Sequence, residues 1–168
     1  MRNILVLCEN NAGLSIMIEA AINAKGGLGW NAASAGHRVA PQFNRYAILA
    51  MREAGLPMPK HMAPRGWHHF ATAASPRFDI VLTLSENIAW EEMPDWPGAP
   101  RLLHWALPDP LAVPATADER LETFKIVLEL AGAKVETLLE DEHRAERLLR
   151  QANDNVAGNG GSSRRYGT

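Results

Sequence analysis

Ile4-Leu-Val-Leu-Cys8-Glu-Asn-Asn-Ala-Gly-Leu-Ser15, continuing into Ile16-Met-Ile-Glu-Ala20, is the stretch on which the reading of this chain turns. Residues 4–7 form a short unbroken apolar run, as a parallel strand covered on both faces requires. Residues 15–24 then place Ile16, Met17, Ala20 and Ala21 at helical spacing, and Gly26-Gly27 supplies the stop. Strand, tight loop and helix follow one another within two dozen residues. In such a unit the loop lies beyond the carboxyl end of the strand, where open α/β sheets bind ligands. Its backbone N–H groups can curl into an anion nest on the positive end of the helix dipole. Cys8, at the head of that loop, reads either as a small buried hydrophobe closing a strand or as a nucleophile.

Working outward, residues 30–34 (WNAAS) read as a second strand, 44–54 as a helix closed by Gly55, 79–84 (DIVLTL) as a third, buried strand, and 102–106 as a fourth. Thr116-Ala-Asp-Glu119 has the spacing of a capping box. It opens a long helix whose core face carries Leu121, Phe124, Leu128, Ala131, Val135 and Leu138. Strands alternating with helices imply right-handed crossovers, and so an α/β fold: a three-layer, doubly wound, four-stranded parallel sheet. One domain is expected over residues 1–140, a charged helical extension over 141–152, and a flexible tail, rich in Gly, Ser and Asn, over 153–168.

Composition narrows the function. The 168 residues are 46% hydrophobic and 21% charged, with a net charge of -2, which provides no basic footprint for nucleic acid and no cationic face for a membrane. The N-terminal apolar run is too short for a signal peptide, so a cytoplasmic location is expected. One cysteine permits neither an internal disulfide nor a zinc ribbon. His61, His68 and His69 lack the spacing of a helical metal motif, so neither metal nor other cofactor is expected.

The loop and its surroundings resemble those of the low-molecular-weight protein tyrosine phosphatases and the arsenate reductases built on the same fold. Their signature runs strand, Cys-x-Gly-Asn-x-x-Arg-Ser, then a helix reading x-Met-x-Glu-Ala; here Cys8, Asn11, Ser15, Met17, Glu19 and Ala20 match. Ser34-Ala35-Gly36, Pro41, Phe78-Asp79 and Leu107-Pro108-Asp109-Pro110 follow in the family's order, so the likeness extends from Met1 to about Leu139. It implies a flavodoxin-like strand order 2-1-3-4. It also implies Cys8 as nucleophile, Ser15 as the hydroxyl that steadies its thiolate, Asp109 as general acid, and Glu9, Asn10, Asn11, Ala12, Gly13 and Leu14 as the anion-binding loop. The implied ligands are phosphate, arsenate or a phosphotyrosine-like oxyanion. Read alone, Asp109-Pro110 is a turn initiator.

One position breaks the pattern: the residue six after the cysteine, arginine in the family, is Leu14. A guanidinium there grips two oxygens of the anion, whereas leucine has no donor. Asn10 replaces the family's glycine, which asparagine's tolerance of positive φ accommodates, and Glu9 adds negative charge near the anion. Ser85 and Met93 stand where related reductases carry further cysteines, so any arsenate reduction would need an external small thiol. The expectation is therefore a phosphatase-like or reductase-like protein with weak or lost catalysis, acting as an oxyanion- or partner-binding paralogue. The alternatives are an active cysteine-dependent phosphatase or thiol-dependent arsenate reductase and, from another class, a flavodoxin-like electron carrier. Arg38 is the nearest candidate in sequence for a replacement cation. Trp67, Trp90, Trp96 and Trp105 read either as core or as cleft walls, with the acidic loop 91–95 beside the mouth.

Overall fold

The structure, a computed structural model, describes residues 1–84, 88 and 92–159, the last five by backbone alone. Its sheet is built from β1 (Arg2–Cys8), β2 (Trp30–Gly36), β3 (Ile80–Thr83) and β4 (Arg101–His104) in the order β2-β1-β3-β4, with every pairing parallel. The helices are α1 (Leu14–Lys25), α2 (Arg45–Glu53) and α3 (Ala117–Asn159). This is the expected α/β class and strand order. β2 runs two residues beyond the expected end, because Ala35 and Gly36 keep the register with Leu7 and Cys8.

β1 is central: Ile4 to Leu7 are fully buried, as are Ile80 to Leu82 of β3 beside it. Each such aliphatic side chain contributes about 1.5–3 kcal/mol on burial. On one face α1 and α2 pack through Ile16, Met17, Ala20, Ala47 and Met51, joined by Phe124, Val127 and Leu128 of α3. The opposite face, carrying Leu5, Leu7 and Val81, is covered by Trp67 and Phe70 of a short 3-10 turn together with Phe78, Ile88 and Trp96. Two of the four tryptophans weighed above are thus core residues. Edge strand β4 is largely exposed, with Leu102 open to solvent.

The helix boundaries follow from local chemistry. Asn44 caps α2 through its side-chain oxygen, accepting from Tyr46 N (2.9 Å) and Ala47 N (3.3 Å), and Gly55 adopts the left-handed φ of 68° just past its end. The capping box before α3 forms: Thr116 N–H donates to Glu119 (2.8 Å), and Glu119 N–H donates to Thr116 Oγ1 (3.3 Å). Packing divides the chain into two compact units, Met1–Val135 and Glu136–Thr168. In the second, α3 continues to Asn159, so 153–159, expected at the start of the tail, are helical; no proline interrupts the helix there.

Gly36 shows how the sheet shapes the loop. A Cβ at this position would lie 2.8 Å from Asn11 N, 2.9 Å from Asn10 C and 3.0 Å from Glu9 O, all backbone atoms of the loop after β1. Gly36→Ala is therefore expected to push the loop off the sheet and to destabilise the fold by about 1–3 kcal/mol, the usual cost of overpacking. Urea denaturation measures this, and an unchanged midpoint would show that the loop yields freely.

Candidate active site

The loop 8–15 is held by one asparagine. Asn11 is fully buried with a left-handed φ of 55°, a conformation asparagine tolerates better than most residues. Its Oδ1 accepts from Arg65 N–H (2.9 Å). A backbone N–H can only donate, so this bond fixes the amide's orientation, and both Nδ2 protons are donated: one to Ser15 Oγ (3.0 Å), one to Ser34 Oγ (2.9 Å). Ser15 Oγ, already accepting from Asn11, also accepts from the Cys8 thiol (3.0 Å); once that thiol ionises, the serine hydroxyl is the neighbour that can give its own proton to the sulfur. Asn11 N–H donates to the same sulfur (3.2 Å). Cys8 itself is buried, at 5% exposure. The left-handed residue expected at Asn10 is Asn11 instead, and Asn10 folds its Oδ1 back onto Ala12 N–H (3.1 Å).

Behind the loop, Ser34 Oγ also hydrogen-bonds the carboxyl of Glu19, a buried residue on α1. Burial pushes the Glu19 carboxyl above its ordinary range, against the opposing pull of Ser34 and of the Arg65 and Lys60 charges. Arg65 Nε donates to Ser34 O (3.0 Å), and its guanidinium lies 4.5 Å from the Phe70 ring centroid. Burial lowers its pKa while the Glu19 charge raises it. His61, edge-on to Phe43 at 5.4 Å, has both ring nitrogens buried without a hydrogen-bond partner among the described residues. Burial, followed by the charges of Arg65 and His69, pushes its pKa down to about 4.

In front of the loop lies a cavity of about 690 Å³. Cys8, Glu9, Asn10, Ala12, Gly13 and Leu14 line its floor, and Phe43, Tyr46, Leu84, Leu107, Leu111 and Phe124 supply apolar walls. No side chain caps α1, whose first N–H groups, lacking intrahelical partners, stand at the loop's end. Leu14 is the first residue of that helix and packs towards the α1–α2 core. Asp109 also lines the cavity. Its Oδ1 accepts from Leu111 N–H (2.9 Å), so the turn that Asp-Pro announced is present beside the cavity.

The structure thus gathers Cys8, Ser15, the loop residues and Asp109 at one place. It does not bring Arg38 there. β2 ends at Gly36, and Arg38 gives its N–H to Glu9 O (2.7 Å) while lying exposed outside the cavity lining. Arg45, which sequence reasoning passed over, does line the cavity. The signal was present in Asn44 as a helix cap, which makes Arg45 the first residue of α2, but its closeness to Cys8 is a tertiary fact. Trp105 does not line the cavity; the Lys134 ammonium sits 5.8 Å from its ring centroid. Ser85, Trp90 and Glu91 lie outside the described residues. Among the described residues no three His, Cys, Asp or Glu side chains gather as a metal site, and no helix is long and apolar enough to cross a membrane.

A family model described as low molecular weight phosphotyrosine protein phosphatase matches residues 3–153. No curated protein matches the chain. Among solved structures, the fold is similar to an arsenate reductase from Archaeoglobus fulgidus, with TM-score 0.63 and 23% identity over 82% of this chain and 98% of that one. A low molecular weight protein tyrosine phosphatase from T. tengcongensis gives 0.63 and 22%, over 84% and 99%. An arginine phosphatase from Geobacillus stearothermophilus gives 0.65 and 18%, over 88% and 96%. At these identities the likeness speaks for the fold.

Two outcomes follow from this geometry. Asn11→Ala is expected to cost about 3 kcal/mol, since it strands the Arg65 N–H, removes the donors to Ser15 Oγ and Ser34 Oγ, and places alanine at positive φ. Asn11→Gly relieves the backbone but not the bonds and should lose less, as urea denaturation of the two variants would show. For His61 the folded pKa lies below the ordinary 6.5. Between those values the unfolded chain binds more protons, so the stability tied to His61 is complete above pH 6.5 and declines as the pH falls towards about 4. His61→Phe should flatten that part of the curve in denaturation series between about pH 7 and 5; an unaltered slope would mean that His61 protonates freely in the folded protein.

Proposed function

The chain belongs to the low molecular weight phosphotyrosine protein phosphatase family, and from that premise we propose that it is an oxyanion-binding paralogue whose cysteine chemistry is weak or lost. One observation carries the reading: the hydrogen-bonded set around Cys8 is intact, while position 14 contributes a hydrocarbon side chain to the cavity where the family signature has a guanidinium. Family membership favours phosphate or arsenate chemistry over the electron carrier weighed on sequence.

In the chemistry this site would support, the Cys8 thiolate attacks phosphorus, the bond to the leaving oxygen breaks, and Asp109 gives that oxygen a proton. Water then attacks the cysteinyl phosphate and releases phosphate and the thiolate. Ser15 O–H and Asn11 N–H steady the sulfur in both steps. The missing part is the donor pair for the equatorial oxygens; losing one oxyanion donor slows such reactions by about 10²–10³, and here two donors and a charge are absent. With arsenate, the thiolate adduct would be reduced by an external small thiol, because Cys8 has no second cysteine to form a disulfide with. A lone reduced thiol also suits the cytoplasm.

The same intact set supports a second reading, a working phosphatase or thiol-dependent arsenate reductase. Turnover of p-nitrophenyl phosphate that disappears in Cys8→Ser would establish it. The first reading makes a sharper claim: Leu14→Arg should raise kcat/KM for an aryl phosphate by about 10²–10⁴, because each charge-assisted bond contributes about 1.5–3 kcal/mol. Asp109→Asn in that background should remove most of the gain. A folded Leu14→Arg protein that neither binds phosphate nor hydrolyses the ester would sink the proposal.

A further inference from the structure

Resting on the reading that an oxyanion occupies the loop, we propose that Arg45 holds its negative charge, supplying from α2 the guanidinium that position 14 lacks. Among the described residues lining the cavity, Arg45 is the one cation, set against Glu9, Asp109 and the Cys8 sulfur. An oxyanion entering there would otherwise meet carboxylates and hydrocarbon.

The backbone fixes the placement. Segment 37–44 runs along the loop and is bonded to it at four points: His37 N–H to Cys8 O (3.3 Å), Arg38 N–H to Glu9 O (2.7 Å), Ala40 N–H to Asn10 O (3.1 Å) and Asn44 N–H to Ala12 O (2.8 Å). The last bond anchors the residue immediately before Arg45, and the Asn44 side chain caps α2, so the start of that helix cannot drift from the loop. The Arg45 guanidinium sits 5.3 Å from the Tyr46 ring centroid, exposed, and among the described residues it has no carboxylate or hydrogen-bond partner. Its five donors are available for bidentate contact with an oxyanion.

The other arginines near the site are engaged or turned away. Arg65 is held by Ser34 O and Phe70, Arg120 donates to Pro110 O (2.6 Å), and Arg38 lies outside the cavity lining. A guanidinium arriving from α2, and not from within the loop, would reach the outer oxygens of the anion. It would strengthen binding more than it would stabilise the reacting geometry, which fits an oxyanion-binding protein of low turnover.

The test measures how well inorganic phosphate, and separately arsenate, protects Cys8 of the full chain from alkylation by iodoacetamide. Arg45→Gln should weaken the apparent affinity by about 10- to 100-fold, Arg45→Lys by less, and Arg38→Gln should leave it unchanged. Moving the guanidinium back, in Leu14→Arg/Arg45→Gln, should restore protection to at least the wild-type level, which a merely structural role for Arg45 does not predict. If wild type is protected and Arg45→Gln is protected equally, the Arg45 inference fails while the oxyanion reading stands. If wild type is not protected by either anion, the oxyanion reading fails and takes this one with it. Loss in Arg45→Gln without rescue by Leu14→Arg would also overturn it, and circular dichroism with urea denaturation of each variant checks that the chain is folded.

Discussion

The threefold bonding of one side-chain amide, that of Asn11, is the constraint from which the rest of this site descends. It joins the loop to β2 through Ser34, to the segment before the 3-10 turn through Arg65 N–H, and to the start of α1 through Ser15. A buried amide leaves no slack: each unmade bond costs about 1–3 kcal/mol, and each made one is worth about 1. The network therefore sets the loop in a single conformation before any ligand arrives. Its directionality matters as much as its strength. Because Oδ1 is committed to an obligate donor, the amide protons must go to the two serines, and Ser15 Oγ is thereby held beside the Cys8 thiol that donates to it.

That arrangement explains why so much of the fold was legible from one short stretch. The apolar run at Ile4 to Leu7 needs cover on both faces, the helix after Ser15 provides one, and the Gly36 contact shows how closely β2 must approach the turn between them. Strand order and the capping of α3 at Thr116 follow from signals that act within a few residues. Other features are tertiary. Asn11, not Asn10, takes the left-handed conformation, because the bonds from Arg65 and to Ser34 hold its side chain in place, whereas the expectation at Asn10 rested on local preference alone. The extent of α3 was missed for a different reason: a polar, glycine-containing sequence argues for disorder, yet helix propagation continues until something stops it.

The candidate site divides in the same way. Cys8, Ser15 and Asp109 could be placed because their spacing along the chain is that of a known signature. The replacement cation could not, because sequence distance is a poor guide to spatial distance across a parallel crossover. Arg38 is nearer to the end of β2 and was the obvious choice; Arg45 comes seven residues later, after the chain has run alongside the loop and been tied to Ala12. Four backbone bonds bring it there, and backbone bonds leave no trace in residue identity.

The charges around the cavity then decide what such a protein can do. A phosphatase of this design needs a cation that tightens as charge develops in the transition state, and only a donor fixed within the loop meets that condition at no cost in reorganisation. Leu14 removes it and fills the space with hydrocarbon, while Glu9 and Asp109 leave the cavity wall short of positive charge. On the reading proposed above, the exposed guanidinium of Arg45 offsets the charge but not the preorganisation, since a long side chain gives up rotamer freedom when it binds. Ground-state affinity and transition-state stabilisation separate under these conditions: the first can be retained by an arginine on a neighbouring helix, whereas the second depends on the residue in the turn. On the proposed reading, the intact Cys8–Ser15–Asn11 set and the altered position 14 therefore serve different ends, one preserving the shape of an anion site and the other setting how far its chemistry can go.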